Sequence, residues 1–142
     1  DGEIRSYGRK ISGPLLDRID LHVSVMRPKY SELTATIKGE SSARIAERVA
    51  AARAMQSERL SKWHMQNNAQ MGHRQLQETC RLDAEGSELL HEVFEKLHLS
   101  ARSYDRIIKV SRTIADLAGT SEIKPEHVAE ALSYRNMLPR RS

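Results

Sequence analysis

The chain has 142 residues, of which 39% are apolar and only 4% aromatic, so a core must rest on aliphatic side chains. A single cysteine excludes an intrachain disulfide and a CxxC metal site, and the six histidines lack metal-ligand spacing, so we expect no metal site. The net charge of +4 is compatible with a nucleotide or nucleic-acid partner but indicates neither by itself. Neither a signal peptide nor a membrane-spanning run is present, which predicts a cytoplasmic protein without a membrane partner.

The first forty residues indicate a small element that lacks its structural partner. Ser12 and Pro14 favour a short helix that ends near Arg18. Residues 20–25 then alternate apolar and polar side chains, as a strand does, and Pro28 ends the pattern. A lone strand is not stable and the chain does not begin with Met. We therefore expect this segment to complete an αβ core in a longer protein.

From about residue 42 the pattern is helical. It predicts helices over 43–63, 73–80, 84–97 and 101–118 and a last one from Pro125, with a polar loop over 65–72 and a basic tail over 135–142. Ser41 or Ser42, Asp83 and Ser100 are candidate N-caps, and Gly119 is a candidate C-terminal stop. The predicted fold class is mainly α, a helical bundle over 41–142 preceded by a helix–strand remnant over 1–40.

The helix predicted over 43–63 has a narrow apolar seam and a basic surface. The seam consists of Ile45, Val49, Ala52, Gln56 and Leu60. Its basic residues outnumber its acidic ones, namely Arg44, Arg48, Arg53, Arg59 and Lys62 against Glu47 and Glu58. Downstream of it, we expect Cys80 to be a small buried hydrophobe.

The helix that follows Ser100 carries a basic stripe opposite its apolar face. At 100° per residue the stripe contains Arg102, Arg106 and Lys109, flanked by Asp105 and Arg112. Arg102 lies in the first turn, where a cation opposes the helix dipole, and a bound phosphate would compensate for this. The alternative is a solvated basic face with Asp105 and Asp116 as partners, and periodicity by itself favours that alternative.

Arg18 lies between the predicted short helix and the predicted strand. One interpretation is a salt bridge with Asp17 or Asp20. The other is an arginine that reaches the nucleotide of a neighbouring subunit, because a guanidinium stays charged and binds phosphate oxygens through two N–H groups. Such an arginine stabilises the charge that develops on a transferring phosphoryl group. The local pattern leaves both interpretations open.

Two long stretches resemble the magnesium-chelatase-like AAA+ ATPases of the ComM/YifB competence-protein family. Residues 10–25 resemble one segment of that family and contain GPLLDRID, which is also similar to the finger segment of replicative MCM helicases. The second-sensor helix of the family resembles ARSYDRIIKVSRTIADL at 101–117. Residues 39–42 and 123–135 follow the family pattern as well, and the likeness is weakest over 57–77.

The resemblance implies a role in ATP hydrolysis. Residues 1–40 would be the end of the AAA+ core, and 41–142 the helical lid. Arg18 would be the arginine finger acting across a subunit interface, and Arg102 the sensor-2 arginine on the γ-phosphate, with Arg106 as support. Family members form rings, expected to be hexamers, and use ATP and Mg²⁺. The competence member is associated with DNA branch migration in natural transformation, which makes DNA a further candidate partner.

The chain departs from a complete ATPase. It contains no GxxxxGK[ST] and no apolar strand ending in paired acidic residues, so by itself it should bind no cofactor and hydrolyse no ATP. The upstream AAA+ core and neighbouring subunits are its expected partners. Two alternatives remain: a stand-alone helical DNA-binding domain, and a structural interaction domain whose arginines are dispensable.

Overall fold

The computed structural model describes residues 18–28, Tyr30 and residues 39–135. The predicted short helix, apart from Arg18, and the basic tail beyond Arg135 lie outside the described residues. Arg18 is in a turn, and its side chain is exposed.

Five α-helices lie within residues 39–135, which confirms the mainly α fold class. They are α1 (Ser42–Leu60), α2 (His73–Thr79), α3 (Ala84–Leu97), α4 (Ala101–Leu117) and α5 (Pro125–Ser133). Two short 3₁₀ helices, Ser61–Trp63 and Asn68–Gln70, connect α1 to α2. The predicted polar loop therefore has a regular turn of its own, in which Asn68 is buried.

The predicted caps begin and end the helices. Ser41 Oγ accepts the N–H of Arg44 at 3.4 Å, and Asp83 Oδ1 accepts that of Gly86 at 2.7 Å. Each oxygen satisfies an amide that has no partner inside its helix. After α4 the chain turns at Gly119, whose φ of 72° lies in the left-handed region that favours glycine.

α4 is the central helix of the bundle and contacts α1, α2 and α5. Ile107, Ile108 and Ala115 on α4 are buried, and apolar side chains from every other helix complete the core, among them Leu60, Leu76, Leu90 and Val128. The ring of Phe94 meets that of Tyr104 edge-on at 6.1 Å, an arrangement that aromatic pairs favour. Cys80 is buried, as predicted.

The prediction of a seam along all of α1 is wrong for the first half of the helix. Ala52, Gln56 and Leu60 are buried, whereas Ile45 and Val49 are 42% and 45% exposed. No described element covers the first half of α1, so the apolar side chains that repeat along this half pack against none of the described residues. Periodicity shows which residues share a face, but not how far a neighbouring helix extends along it.

Residues 20–25, predicted as a strand, form no β-ladder in the described structure. Their amides and carbonyls need a second strand, and the described residues supply none. Elsewhere in the described structure, Leu82 and Ile123 form an isolated parallel β-bridge. Leu21, Val23 and Val25 share one face of the predicted strand and are 50% to 89% exposed.

Candidate functional site

The first turn of α4 presents Arg102 to solvent. Ser100 is the N-cap, and its hydroxyl accepts the N–H of Ser103 at 3.2 Å and donates to Ser103 Oγ at 3.1 Å. Arg102 is exposed and forms no ion pair with any residue that the structure describes. A cation at this position opposes the helix dipole, and no carboxylate among the described residues pairs with Arg102 to compensate.

The two carboxylates expected to neutralise the basic stripe are engaged elsewhere. Asp105 accepts from His73 Nδ1 at 2.9 Å, and Asp116 is buried beneath the helix. Neither carboxylate pairs with Arg102, Arg106 or Lys109, so the expectation that Asp105 and Asp116 balance these three cations is wrong. Periodicity assigned these carboxylates to the stripe, but each has a closer partner on another element.

Asp116 is the centre of a buried polar network. Its carboxylate accepts hydrogen bonds from both Nη atoms of Arg59 at 2.8 Å, from Arg112 Nε at 3.0 Å and from Asn68 Nδ2 at 2.8 Å. Arg112 was expected beside the basic stripe, yet its side chain is 0% exposed. Its Nη atoms donate to the carbonyls of Ser121 and Thr120, so this arginine anchors the turn after α4 rather than facing a ligand. Burial lowers the pKa of Arg112, and the Asp116 carboxylate opposes that shift.

Arg106, one turn after Arg102, faces the segment that carries Arg18. Its Nη1 lies 3.0 Å from Asp20 Oδ1, with side-chain exposures of 21% for Arg106 and 56% for Asp20. The contact has the distance of an ion pair but not the angle of a hydrogen bond, since Arg106 Nη1 finds no hydrogen-bond partner. Lys109, the third cation of the stripe, donates to the carbonyl of Ala69 at 3.4 Å.

Two hydrogen bonds also join the segment that carries Arg18, the end of α5 and the start of α4. The N–H of His22 donates to the carbonyl of Tyr134, at the end of α5, at 2.8 Å. Arg135 Nη2 donates to Ser103 Oγ in the first turn of α4 at 3.3 Å. The segment 18–22, the start of α4 and the end of α5 therefore meet at one place.

Arg18 itself is exposed and has no ion pair among the described residues. Asp20, one of the two carboxylates considered as its partner, pairs with Arg106 instead. The sequence did not reveal that pairing, since Asp20 and Arg106 are joined only by the fold. The one sequence signal for a functional role of Asp20 and Arg106 was that both residues lie in stretches that resemble the family.

Two family models match almost the whole chain. The model described as magnesium chelatase, subunit ChlI C-terminal, matches residues 39–135, and the model described as magnesium chelatase, subunit ChlI, matches residues 1–33. The chain belongs to the magnesium chelatase ChlI C-terminal family. The sequence predicted this family, and the matches confirm it.

Curated relatives of this family member include bacterial proteins of the ComM/YifB type. Competence protein ComM of Haemophilus influenzae is 41% identical over 137 residues, which cover 96% of this chain and 26% of that protein. YifB of Escherichia coli is 38% identical over 91% of this chain and 25% of its own length. The Mycobacterium bovis protein Mb2921c is 35% identical over 96% of this chain and 27% of its own length. The chain thus spans about a quarter of the length of these relatives.

The described residues contain neither a membrane-spanning helix nor a metal-binding cluster. No described helix is long and apolar enough to cross a membrane. No cluster of three or more His, Cys, Asp or Glu side chains among these residues could hold a metal ion.

Proposed function

We propose that this family member is the lid and interface part of an ATP-driven ring motor. Arg102 contacts the γ-phosphate as the sensor-2 arginine, and Arg18 is the finger that reaches the nucleotide of a neighbouring subunit. The observation that carries the proposal is that both guanidiniums are exposed and have no ion pair among the described residues. An arginine held without a protein anion suits a site whose anion arrives with the ligand.

The surroundings of Arg102 support the phosphate role. It lies in the first turn of a 17-residue helix, where unpaired backbone N–H groups and the dipole favour an anion. The carboxylates on the same helix are already engaged, Asp105 by His73 and Asp116 by the buried network. A γ-phosphate would therefore compete with no carboxylate of α4 for Arg102.

ATP, Mg²⁺ and the oligomeric ring are parts of this proposal. The described residues offer no metal cluster, and we assign no Mg²⁺ ligand to this chain. ATP would be bound by a phosphate loop in the AAA+ core, and this chain would add the two arginines to the site. The motor activity of the assembled ring, in DNA branch migration, is proposed from the likeness to ComM.

Mixed rings of the full-length protein test the finger. Arg18→Ala subunits should lose about 10³-fold or more in ATP turnover, because a finger in trans supplies 10³–10⁵ in rate. Mixing them with subunits disabled in the phosphate loop should restore part of the activity, since each disabled subunit still offers Arg18 to an intact neighbour. Arg102→Ala should abolish turnover as well.

Arg81→Ala is the matched control for these variants. Arg81 is exposed and has no ion pair among the described residues, but it lies in the loop before α3, away from both motifs. Turnover should be unchanged in this variant. Unchanged turnover in Arg18→Ala and Arg102→Ala rings that assemble normally would refute the proposal and favour a structural domain.

The structure offers little for the DNA-binding alternative. Of the basic residues of α1 and the turn after it, Arg59 is held by Asp116, Arg48 pairs with Glu40 at 2.6 Å, and Lys62 pairs with Glu78 at 2.9 Å. The two that remain, Arg44 and Arg53, share the helix with Glu47 and Glu58. Duplex binding with a steep salt dependence would revive this alternative.

A further inference from the structure

We infer that the Asp20–Arg106 ion pair positions the arginine finger. In this view Arg106 does not contact phosphate. It holds, through Asp20, the segment that carries Arg18 against the helix that carries Arg102. Asp20 and Arg106 are then positioning residues for Arg18. The inference rests on the proposed function, because it concerns how the same finger is aimed at the neighbouring subunit.

The two arginines of the basic stripe differ in their surroundings. Arg102 is exposed and has no ion pair in the described part of the chain, whereas Arg106 is 21% exposed and has a carboxylate 3.0 Å from its Nη1. An arginine already neutralised by an aspartate has less to gain from a phosphate. The stripe therefore divides into one arginine that is free to bind a ligand and one that is used inside the subunit.

Asp20 can fix the position of Arg18 because only one residue separates the two in the chain. Two residues of fully extended chain span at most about 7 Å. A displacement of the backbone at Asp20 therefore moves the backbone at Arg18 by nearly the same distance. The hydrogen bond from the N–H of His22 to the carbonyl of Tyr134 fixes the chain on the other side of Asp20. The segment is thus held at Asp20 and at His22, and Arg18 lies two residues before Asp20.

The same helix connects this attachment to the predicted phosphate contact. Arg102 and Arg106 are four residues apart on α4 and lie on one face of it, and the buried side chains of α4 make it a rigid part of the bundle. Arg135 of the α5 end binds Ser103 at 3.3 Å, between the two arginines. A movement of the start of α4 would therefore carry Arg106, Asp20 and the finger together.

Mixed rings separate the positioning role from a phosphate contact. In rings of Arg18→Ala subunits and phosphate-loop-disabled subunits, the disabled subunits donate the finger and the Arg18→Ala subunits hydrolyse ATP. Asp20→Asn or Arg106→Gln placed in the donating subunits should lower the restored turnover about tenfold, because a finger misplaced by about 1 Å loses up to 10²-fold. The same substitutions placed in the hydrolysing subunits should change nothing, since those subunits have no finger to aim.

A double-mutant cycle in the donating subunits tests whether the two residues act as one unit. Asp20→Asn with Arg106→Gln should cost no more than either substitution alone, because the ion pair can be lost only once. Exchanging the charges, with Asp20→Arg and Arg106→Asp together, should restore part of the loss. Glu40→Gln is the matched control: it removes the Glu40–Arg48 pair, which also joins a segment to a helix, and should leave turnover unchanged.

The outcomes distinguish this inference from the function on which it rests. If Arg18→Ala rings keep full turnover, both the finger and its positioning are refuted. If mixing restores turnover but Asp20→Asn in the donor changes nothing, only the positioning role is refuted. A loss caused by Arg106→Gln in the hydrolysing subunit would show a phosphate contact in that subunit, and would also overturn the inference.

Discussion

Asp116 and Arg59 join the two long helices of the bundle through a paired contact. Both oxygens of the buried Asp116 carboxylate on α4 accept from the Arg59 guanidinium on α1, each at 2.8 Å. Arg112 and Asn68 bind the same carboxylate, so a single negative charge faces two guanidiniums. The pair lies in the last turn of α1 and ties that end of the helix to the central helix.

Asp116→Asn should strongly destabilise the protein. It removes the one carboxylate that compensates two guanidiniums, of which Arg112 is 0% exposed. Loss of one partner of a buried ion pair costs about 3–5 kcal/mol, because the remaining charge stays buried without compensation. Urea unfolding followed by circular dichroism measures this. Asp105→Asn removes only an exposed contact with His73 and should shift the midpoint little; equal shifts in the two variants would contradict the argument.

Arg102→Ala should separate stability from activity. The side chain is exposed in the first turn of α4 and has no ion pair with a described residue, so its removal relieves an unfavourable cation–dipole interaction. The free energy of unfolding should stay the same or rise by about 0.3–1 kcal/mol, while ATP turnover by the full-length ring is lost. Thermal unfolding and an ATPase assay on the same preparation measure the two quantities. A clear loss of stability would instead indicate a structural role for Arg102.

Gly119→Ala should destabilise the turn after α4 by backbone strain alone. The glycine has a φ of 72°, and a Cβ added there would meet no atom within 4 Å. The left-handed region costs a residue with a Cβ about 1 kcal/mol, and we expect that loss in the free energy of unfolding. Gly39→Ala is the control, because a Cβ there also meets open space and the backbone has no positive φ. Similar losses in both variants would exclude strain as the cause.

Cys80 should make the stability depend on alkaline pH. Burial raises the pKa of its thiol, so the folded protein keeps the proton at a pH where the unfolded chain, with a pKa of about 8.5, has released it. Its contribution is fully present below the unfolded pKa and is lost as the pH rises through the folded one. The free energy of unfolding of the wild type should therefore fall more steeply above pH 8.5 than that of Cys80→Ala. Parallel pH profiles would contradict the shift.

The two halves of α1 should respond differently to truncation. Leu60 is 0% exposed in the core, so Leu60→Ala should cost about 2–5 kcal/mol through lost burial and a cavity. Ile45 is 42% exposed, and Ile45→Ala should cost less than about 1 kcal/mol. Chemical denaturation of the two variants gives the comparison. A cost at Ile45 close to that at Leu60 would mean that another surface covers the first half of α1.

The ends of the helices were predictable from the sequence, because the capping residues that mark them act locally. Ser100 and Asp83 cap the helices that they were expected to cap, and Gly119 ends α4 in the left-handed conformation. Each of these signals depends on atoms within one helical turn, so no knowledge of the fold is needed to interpret it. The strand expected over residues 20–25 forms no ladder among the described residues, since a strand depends on a partner outside its own sequence.

The candidate site was predictable only in part. The sequence indicated Arg18, Arg102 and Arg106 through two family-like stretches, and those roles remain predictions. It did not show that Arg106 pairs with Asp20, that Asp105 pairs with His73, or that Arg112 is buried. Helical periodicity places Arg112 beside the stripe, but the chain folds back after Gly119 and covers it.

By itself, the sequence determined where the helices begin and end, which family the chain belongs to, and which arginines could act on a phosphate. Only the tertiary structure decided which carboxylate neutralises which arginine among the described residues, and therefore which of these arginines have no ion pair there. The reason is physical. Helix formation and capping depend on residues within a few positions of one another, whereas an ion pair depends on distance in space, which the packing of α1, α4 and α5 establishes.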